Sequence, residues 1–408
     1  MEVVWQCHAH AHKGEHVLVT GILWIAFFII NFNVVMMIPL LPFIQRDLHL
    51  SSSESGWILA AFPVVALISN LALGPLIDRF GRKLFITVGG AACCCTLLIT
   101  AASYSASMIV LSRAATGLFM PMIGASIFAA LADYVPEPTR TRAAGYVTTA
   151  APIAFLCSLS MGVVVGGLLS WQVTVIGLAL VCAALAGLAL TFPTPPSASL
   201  SSSRISRAMY KERLTSLSAS PGTRPLMAAY FCWSIGVYVF LGLYPSWLVQ
   251  HGLSSFGVDT VGSVIFIGEV GGLFGAMLSA RLASRFNNPL RLCAVASMAI
   301  AVVIQVIPWG EGSPFTQGAA YMAFAFGRDL MLALILGDAM GLVEASRRGS
   351  LNSSLNAVYQ TGGTLGGLLS AWLYGLSTGY FANVVGASLA FVASAVLLHG
   401  ISGARIRS

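Results

Sequence analysis

The feature that most constrains this chain is a series of twelve apolar runs, each about twenty residues long. A run of that length lets an α-helix cross the hydrocarbon core of a bilayer. A transmembrane β-barrel would show alternating polarity, whereas these runs are continuous. We therefore predict an all-α membrane protein with twelve transmembrane helices. The predicted spans are 18–40, 55–76, 84–102, 108–131, 143–169, 172–191, 226–249, 258–280, 290–308, 317–341, 351–373 and 381–401.

The composition agrees with this class. Only 9% of the residues are charged and 57% are hydrophobic, whereas a soluble domain carries roughly 25% charged residues because its surface must be wetted. A soluble enzyme, a nucleic-acid-binding protein and a disordered chain are therefore excluded. The lipid bilayer is the expected surrounding of most of the chain.

One long polar segment, residues 192–224, interrupts the series of spans. It contains prolines, a serine cluster and a basic run, a composition typical of a surface linker. It separates six spans from six, which suggests two repeated bundles. The predicted organisation is a cytoplasmic tail at 1–17, an N-terminal six-helix bundle at 18–191, a cytoplasmic linker at 192–224, a C-terminal six-helix bundle at 225–401 and a cytoplasmic tail at 402–408.

The basic residues are distributed unevenly between the loops. If the N-terminus is cytoplasmic, 18 of the 21 Lys and Arg residues lie in cytoplasmic segments, and Arg46 is the single one outside. Arg113 and Arg328 fall within spans. Because basic loops stay on the cytoplasmic side, we predict a multi-pass protein of the cytoplasmic (inner) membrane with both termini in the cytoplasm.

The N-terminal tail carries Cys7, His8, His10, His12 and His16. Such a tract can bind a transition metal, and it is the feature that favours a minor alternative function, a non-transporting membrane sensor. A short flexible tract is not a closed coordination site, however. We therefore expect an unstructured tail and predict no metal site.

The connection between the second and third spans carries a distinctive motif. Residues 74–83 read Gly-Pro-Leu-Ile-Asp-Arg-Phe-Gly-Arg-Lys. This segment resembles the loop signature of the major facilitator superfamily, G-x-L-x-D-R-x-G-R-K, at every defined position, and it lies where that family has it. A basic cytoplasmic turn alone would explain the cations, but not Asp78 or the glycines.

The resemblance implies two six-helix bundles related by a pseudo-twofold axis, which rock around a substrate held near the midplane. In such proteins the first, fourth, seventh and tenth helices line the cavity, and the loop signature helps to latch the outward-facing state. The equivalent segment of the second half, residues 280–286, is degraded, so the latch should rest on Asp78. The predicted latch residues are Gly74, Asp78, Arg79, Gly81, Arg82, Lys83, Asp133 and Arg142.

The fourth and fifth spans resemble, in part, two motifs of the drug–proton antiporters of the superfamily. Arg113-Ala-Ala-Thr-Gly117 resembles their R-x-x-x-G motif, which is linked to proton transfer. The alternative is an arginine that extends to the outer interface. Their fifth span carries the motif G-P-x-x-G-G, which is followed by a W-R-W-like turn. Here the motif is only half kept, because the double glycine is present but Val163 stands in place of the proline. In the turn that follows, Gln172 stands in place of the arginine.

Three more ionisable residues lie deep within spans: Glu269 in the eighth, and Arg328 and Asp329 in the tenth. Charges inside a membrane are functional sites by default, and burial disfavours the ionised form of a carboxyl group. Glu269 and Asp329, with Arg113, are therefore the predicted proton-coupling residues. Arg328 can pair with Glu269 or meet an anionic substrate, and structural ion pairing alone is a further alternative. As neighbours on one helix, Arg328 and Asp329 should point about 100° apart.

The predicted substrate-binding residues combine amides, aromatic rings and the buried charges. The first span contributes no acid, which is another departure from several drug antiporters. Aromatic and methionine side chains suit a large amphipathic substrate, although packing is the commoner role for each ring taken alone. The candidates are Asn31, Asn33, Met36, Trp233, Tyr238, Glu269, Arg328, Asn356, Tyr359 and Gln360.

Together these features favour a secondary active transporter that works by alternating access. The expected activity is proton-coupled efflux of a small amphipathic drug or metabolite by a monomer. The energy source is the transmembrane proton gradient, with no cofactor and no enzyme activity. The alternative is a proton-coupled symporter, or an exporter, of an anionic metabolite or lipid, favoured by the missing first-span acid and by Arg328.

Overall fold

The computed structural model describes residues 2–192, 223–286, 288–341, 348–376 and 379–407. The regular elements within these ranges are all helical, which confirms the predicted fold class. Apart from its two ends, the predicted linker lies outside the described residues.

The first half consists of six helical segments in the order that the apolar runs predict. The fifth segment is divided, because a π-helical turn at Cys157–Met161 follows Glu137–Thr148 and Ala150–Leu156 and precedes Gly162–Leu168. The other five helices are Glu2–Leu48, Ser52–Phe80, Arg82–Ala101, Ala106–Tyr134 and Trp171–Ala189.

The first helix differs from its prediction at both ends. It begins at Glu2, so the tail expected to be unstructured is helical, since no proline breaks the helix before the first span. The side chains of residues 2–16, including the histidine tract, lie outside those described. The helix also continues to Leu48 through Pro39 and Pro42, because neighbouring helices let a transmembrane segment tolerate proline.

The second half repeats the order of six. Its first span is interrupted, because Thr223–Leu241 is followed by the short helix Tyr244–Trp247 and by a π-helical turn at Leu248–Gly252. Two 3-10 turns, Ile304–Val306 and Pro308–Gly310, end the third span. The remaining helices are Val258–Arg285, Pro289–Val303, Pro314–Gly341, Arg348–Leu376 and Phe381–Arg407.

Eleven helices in the described ranges are long and apolar enough to cross a membrane. Arg348–Leu376, which contains the predicted eleventh span, is not among them because it is rich in Ser, Asn, Thr and Gly. Its 29 residues nonetheless exceed the length that a bilayer requires. It packs on its own half, where Gly366 contacts Tyr238, and on the other half, where Ala371 contacts Gly56.

The two ends of the bundle are distinguished by their turns. We call the end that carries residues 79–83 the basic end, and the end that carries residues 49–52 the far end. At the basic end, Gly81 has a φ of 88°, which lets the second helix reverse sharply into the third. At the far end, Ser51 and Glu54 form a reciprocal capping box that starts the second helix.

Among the described residues, small residues bring the two halves into close contact at two places near the far end, which we call seams. In the first seam, a Cβ atom on Gly56 would lie 2.7 Å from the Cβ of Ala371. In the second, Gly167 of the fifth span faces Val258, and Gly262 of the eighth span faces Val164. Small residues allow the helices to approach this closely.

Candidate functional site

A buried ionic cluster joins the eighth and tenth spans. Arg328 Nη1 and Nη2 donate to Glu269 Oε1 and Oε2 at 3.1 and 2.7 Å. Its Nε and Nη2 also donate to Asp329 Oδ1 and Oδ2 at 2.7 and 2.9 Å. Bidentate bonds of this kind are the strongest that a guanidinium makes. One arginine therefore neutralises two carboxylates in part, at the middle of its helix.

The contacts of Arg328 bear on two of the predictions, its pairing with Glu269 and its divergence from Asp329. The pair with Glu269 is present. Asp329 was expected to point about 100° away, but the long arginine side chain bends back to its own neighbour. Both carboxylates therefore bind the same guanidinium.

Aromatic side chains surround the cluster. The Tyr321 hydroxyl donates to Glu269 Oε1. Two rings face the Arg328 guanidinium, with Cζ 5.9 Å from the centroid of Phe324 and 5.4 Å from that of Phe155. Phe155 belongs to the fifth span, so the N-terminal half covers part of a charge that the C-terminal half holds.

A glycine face on the eighth span makes room for the cluster. Gly268, Gly271, Gly272 and Gly275 follow helical spacing, and each lies against the tenth span. A Cβ on Gly272 would lie 2.4 Å from Asp329 Oδ2. The absence of side chains here lets the two helices bring their charges together.

The cluster contains two acidic groups and one basic group. Two carboxylates and one guanidinium give a net charge of minus one when all three are ionised. Arg328 has two carboxylate partners, so it does not depend on a single one of them to compensate its buried charge.

Arg113 is buried as deeply as Arg328, with 2% of its surface exposed. It does not extend to an interface, contrary to one of the alternatives. Its Nη1 donates to Asn33 Oδ1 at 3.0 Å, its Nη2 donates to the Asn33 carbonyl oxygen at 3.3 Å, and its Cζ lies 4.8 Å from the Phe62 ring centroid. Arg113 forms no ion pair with the residues that the structure describes, and its Nε has no hydrogen-bond partner among them.

Three predicted substrate-binding residues form part of one aromatic cluster. The Trp233 ring lies 6.3 Å from the Tyr359 ring, which lies 5.6 Å from that of Tyr238. The prediction missed Tyr230, which stacks on Trp233 at 5.3 Å. Its position three residues before Trp233, on the same helical face, was the available signal. Asn356 is exposed on the same helix as Tyr359.

The remaining candidates contact other residues of the protein. Asn31 Nδ2 donates a hydrogen bond to the Phe27 carbonyl oxygen at 2.7 Å. The Asn33 amide oxygen accepts one from Arg113. Met36 is fully buried in the core, and Gln360 is 5% exposed. In this conformation, these side chains pack within the protein.

The predicted latch ties the basic loop to two helix ends of its own half. Arg82 Nε lies 3.2 Å from Asp133 Oδ2, and Lys83 Nζ donates to the Phe192 carbonyl oxygen at 2.7 Å. Arg79 is exposed beside the Phe80 ring. The side chains of the other predicted members, Gly74, Asp78 and Arg142, lie outside those described.

Tyr134 stands beside this ion pair at the end of the fourth helix. Burial raises the pKa of its phenol, Asp133 raises it further, and Arg82 opposes both effects. The phenol therefore stays neutral near physiological pH.

The family model described as the Major Facilitator Superfamily matches residues 23–367. The chain belongs to this superfamily. Its relatives in the superfamily are membrane transporters and not enzymes, and this chain is a multi-pass membrane protein of the same kind.

Similar superfamily members were found by sequence and by fold. The uncharacterized MFS-type transporter YceJ of Bacillus subtilis is 23% identical over 391 residues, covering 93% of this chain and 96% of that protein. Multidrug resistance protein 1 of the same organism is 30% identical over 135 residues, 33% of this chain and 35% of that protein. A bacterial homolog of the human lysosomal transporter Spinster, solved in an inward-facing and unoccupied conformation, has a TM-score of 0.71 at 14% identity and covers 96% of this chain and 95% of its own.

The fifth span shows how this superfamily member departs from the antiporter motif. Where the motif would place proline, the chain has Val163, which is fully buried. The irregularity is instead a π-helical turn at Cys157–Met161, in which Ser158 donates to the Phe32 carbonyl oxygen at 3.2 Å. π-helical turns are rare in proteins, and those that occur often lie at functional sites.

Proposed function

We propose that the chain exports a small amphipathic compound in exchange for protons, by alternating access. The observation that carries this proposal is the pair of carboxylates that share Arg328, buried between the eighth and tenth spans. Protonation changes the net charge of this cluster by one unit, which is what a coupling site requires. The local similarity to Multidrug resistance protein 1 supports export of a drug-like compound.

The two carboxylates have different roles in this proposal. The Glu269 side chain is 1% exposed and that of Asp329 is 14% exposed. Glu269 also accepts a hydrogen bond from Tyr321. Asp329 is therefore the group that exchanges the proton, whereas Glu269 fixes Arg328. Arg113 adds a permanent positive charge in the other half, which disfavours a second cation there.

The aromatic cluster of Tyr230, Trp233, Tyr238 and Tyr359 is the proposed contact for the apolar part of the substrate. Stacked rings bind flat, apolar groups, and cations are attracted to ring faces. An amphipathic compound with a positive charge suits this surface because the ionised cluster carries net negative charge. Asn356, which is exposed, supplies a polar group at its edge.

The orientation is part of the same proposal. Since 18 of the 21 basic residues fall on one side of the predicted topology, the basic end faces the cytoplasm. Both termini are then cytoplasmic. We expect a monomer in the cytoplasmic membrane, driven by the proton gradient without a cofactor.

The decisive experiment measures proton-driven accumulation of a fluorescent lipophilic cation in inside-out vesicles after an imposed pH step. Asp329→Asn and Glu269→Gln are expected to abolish most of the proton-driven accumulation, because an amide cannot take up the coupling proton. Glu311→Gln, at an exposed acid, serves as the matched control and should leave accumulation unchanged. Unchanged accumulation in Asp329→Asn would refute the coupling assignment.

Arg113 favours a second candidate function, proton-coupled movement of an anionic metabolite or lipid. Its guanidinium has no acidic partner among the described residues and retains an unbonded Nε. In the same vesicles, this function predicts that organic anions move with the proton gradient and that Arg113→Gln stops them. Export of the lipophilic cation against that gradient would favour the first function instead.

A further inference from the structure

A chain of neutral hydrogen bonds crosses from one half to the other at the far end. The Tyr374 hydroxyl donates to Gln250 Oε1 at 3.2 Å, and Gln250 Nε2 donates to Gln45 Oε1 at 3.1 Å. Gln45 Nε2 in turn donates to the Ser55 hydroxyl at 2.8 Å. Gln45 and Ser55 belong to the N-terminal half, whereas Gln250 and Tyr374 belong to the C-terminal half. The central bond therefore holds the halves together.

The surroundings of the two glutamines suit a closure that can open. Gln45 is 9% exposed, whereas Gln250 is exposed and borders a cavity of about 440 Å³ at the far end. That cavity is lined by both halves, through Pro42 and His49 on one side and Val249 and Tyr374 on the other. Separation of the halves here would join the cavity to the interior of the bundle.

The backbone around Gln250 is irregular. Gln250 lies in the π-helical turn Leu248–Gly252, where one extra residue is accommodated in the helix. Such a turn changes the direction of the side chains that it carries, and it is common at functional positions. The turn thus places Gln250 next to Gln45 of the other half and next to Tyr374 of its own half.

We propose that Gln45 and Gln250 form the gate that closes the far side while the substrate site is reached from the basic end. They are positioning residues that act on the equilibrium between the two conformations and do not touch the substrate. The proposal rests on the alternating access described above, but not on the substrate or on proton coupling. The bonds between Gln45, Gln250 and Tyr374 join uncharged side chains, and Arg46 and His49 line the cavity beside them.

The test measures accessibility of the far side. Val258, which packs on Gly167 across the second seam, is changed to a reporter in a Val258→Cys parent. The reporter is labelled from the far side with a membrane-impermeant maleimide, and the protein without it supplies the background. Gln250→Leu and Gln45→Leu should each raise the labelling rate about five-fold, the factor expected when one hydrogen bond between neutral groups is lost.

The controls separate gating from general damage. Gln305→Leu removes a glutamine whose Nε2 bonds Ser388 Oγ at 2.6 Å within one half, and its labelling rate should stay at the parent value. The double variant of Gln45 and Gln250 should match each single variant, since all three lose the same bond between the halves and the other bonds lost lie within one half. Tyr374→Phe keeps the ring and should raise the rate about two-fold by weakening the chain.

Two results would overturn the gate. One is an unchanged labelling rate in Gln45→Leu, Gln250→Leu and Tyr374→Phe, in protein that keeps the melting temperature of the parent. The other is an equal increase in Gln305→Leu. Labelling requires neither a substrate nor a proton gradient, so failure here leaves the proposed transport activity standing, and failure of proton coupling leaves the gate standing.

Discussion

Each half of the molecule holds an almost fully buried arginine well inside a membrane-spanning helix, and these two arginines are stabilised in different ways. Arg113 and Arg328 are both 2% exposed. Arg328 is bound by two carboxylates at 2.7 Å, whereas Arg113 is bound by the amide and carbonyl oxygens of Asn33. A buried cation needs bonded partners in either case, but only the first kind of partner can also take up a proton.

Under the proposed function, this difference divides the work between the halves. The N-terminal half would carry a fixed positive charge, because neither an arginine nor an asparagine changes its charge near neutral pH. The C-terminal half would carry the group that exchanges the proton. The two arginines should therefore respond differently when each is removed.

The largest effect is expected from Arg328→Ala. This change leaves Glu269 and Asp329 buried without their cation, and breaking a buried ion pair in this way costs about 3–5 kcal/mol of stability. Thermal unfolding in detergent should show it as a large fall in midpoint. Neutralising both carboxylates as well, with Glu269→Gln and Asp329→Asn, should recover much of the loss. An Arg328→Ala protein as stable as the parent would contradict the ion-pair account.

A smaller loss of stability is expected from Gly272→Ala. The added Cβ would lie 2.4 Å from Asp329 Oδ2, so the carboxylate must move from Arg328 or the helices must part, at about 2 kcal/mol. Gly318→Ala, in the tenth helix with open space around it, is the matched control. Unfolding of both variants in the same detergent measures the difference. Equal midpoints would show that the glycine face is not needed for the cluster.

The smallest loss is expected from Arg113→Ala, at about 1 kcal/mol, the order of one unsatisfied buried acceptor. The change leaves the Asn33 amide oxygen without its donor, but it also removes a buried charge that no described acid neutralises. Its unfolding midpoint should therefore fall less than that of Arg328→Ala. A fall as large as that of Arg328→Ala would mean that the two arginines are equivalent, and the comparison between the halves would fail.

The spans and the family were predictable from the sequence because they depend on run length and on a contiguous motif. The ion pair between Arg328 and Glu269 could also be predicted from the sequence, since two opposite charges deep in a membrane have few other partners. The return of Arg328 to Asp329 was not, because helix geometry fixes the direction of Cβ but not the path of a long side chain. The first helix likewise runs past its predicted end at residue 40, since proline alone does not end a helix in lipid.

The far-end gate shows another limit of sequence reasoning. Gln45 and Gln250 lie near helix ends and are separated by 205 positions, and each resembles an ordinary polar residue beside a loop. Their pairing depends on how two bundles dock and on a π-helical turn that has no sequence signature. Tyr230 was missed for a simpler reason, because an aromatic residue in a membrane helix most often packs.

The ring of Phe155 makes the surroundings of the cluster depend on both halves. It belongs to one half and faces a guanidinium held by the other, 5.4 Å from ring centroid to Cζ. A cation beside a ring face is attracted to it, and the attraction is larger where water is excluded. A movement of the halves that carried Phe155 away would therefore remove this one contact from Arg328, whereas the bonds to Glu269 and Asp329 lie within the C-terminal half and would be kept.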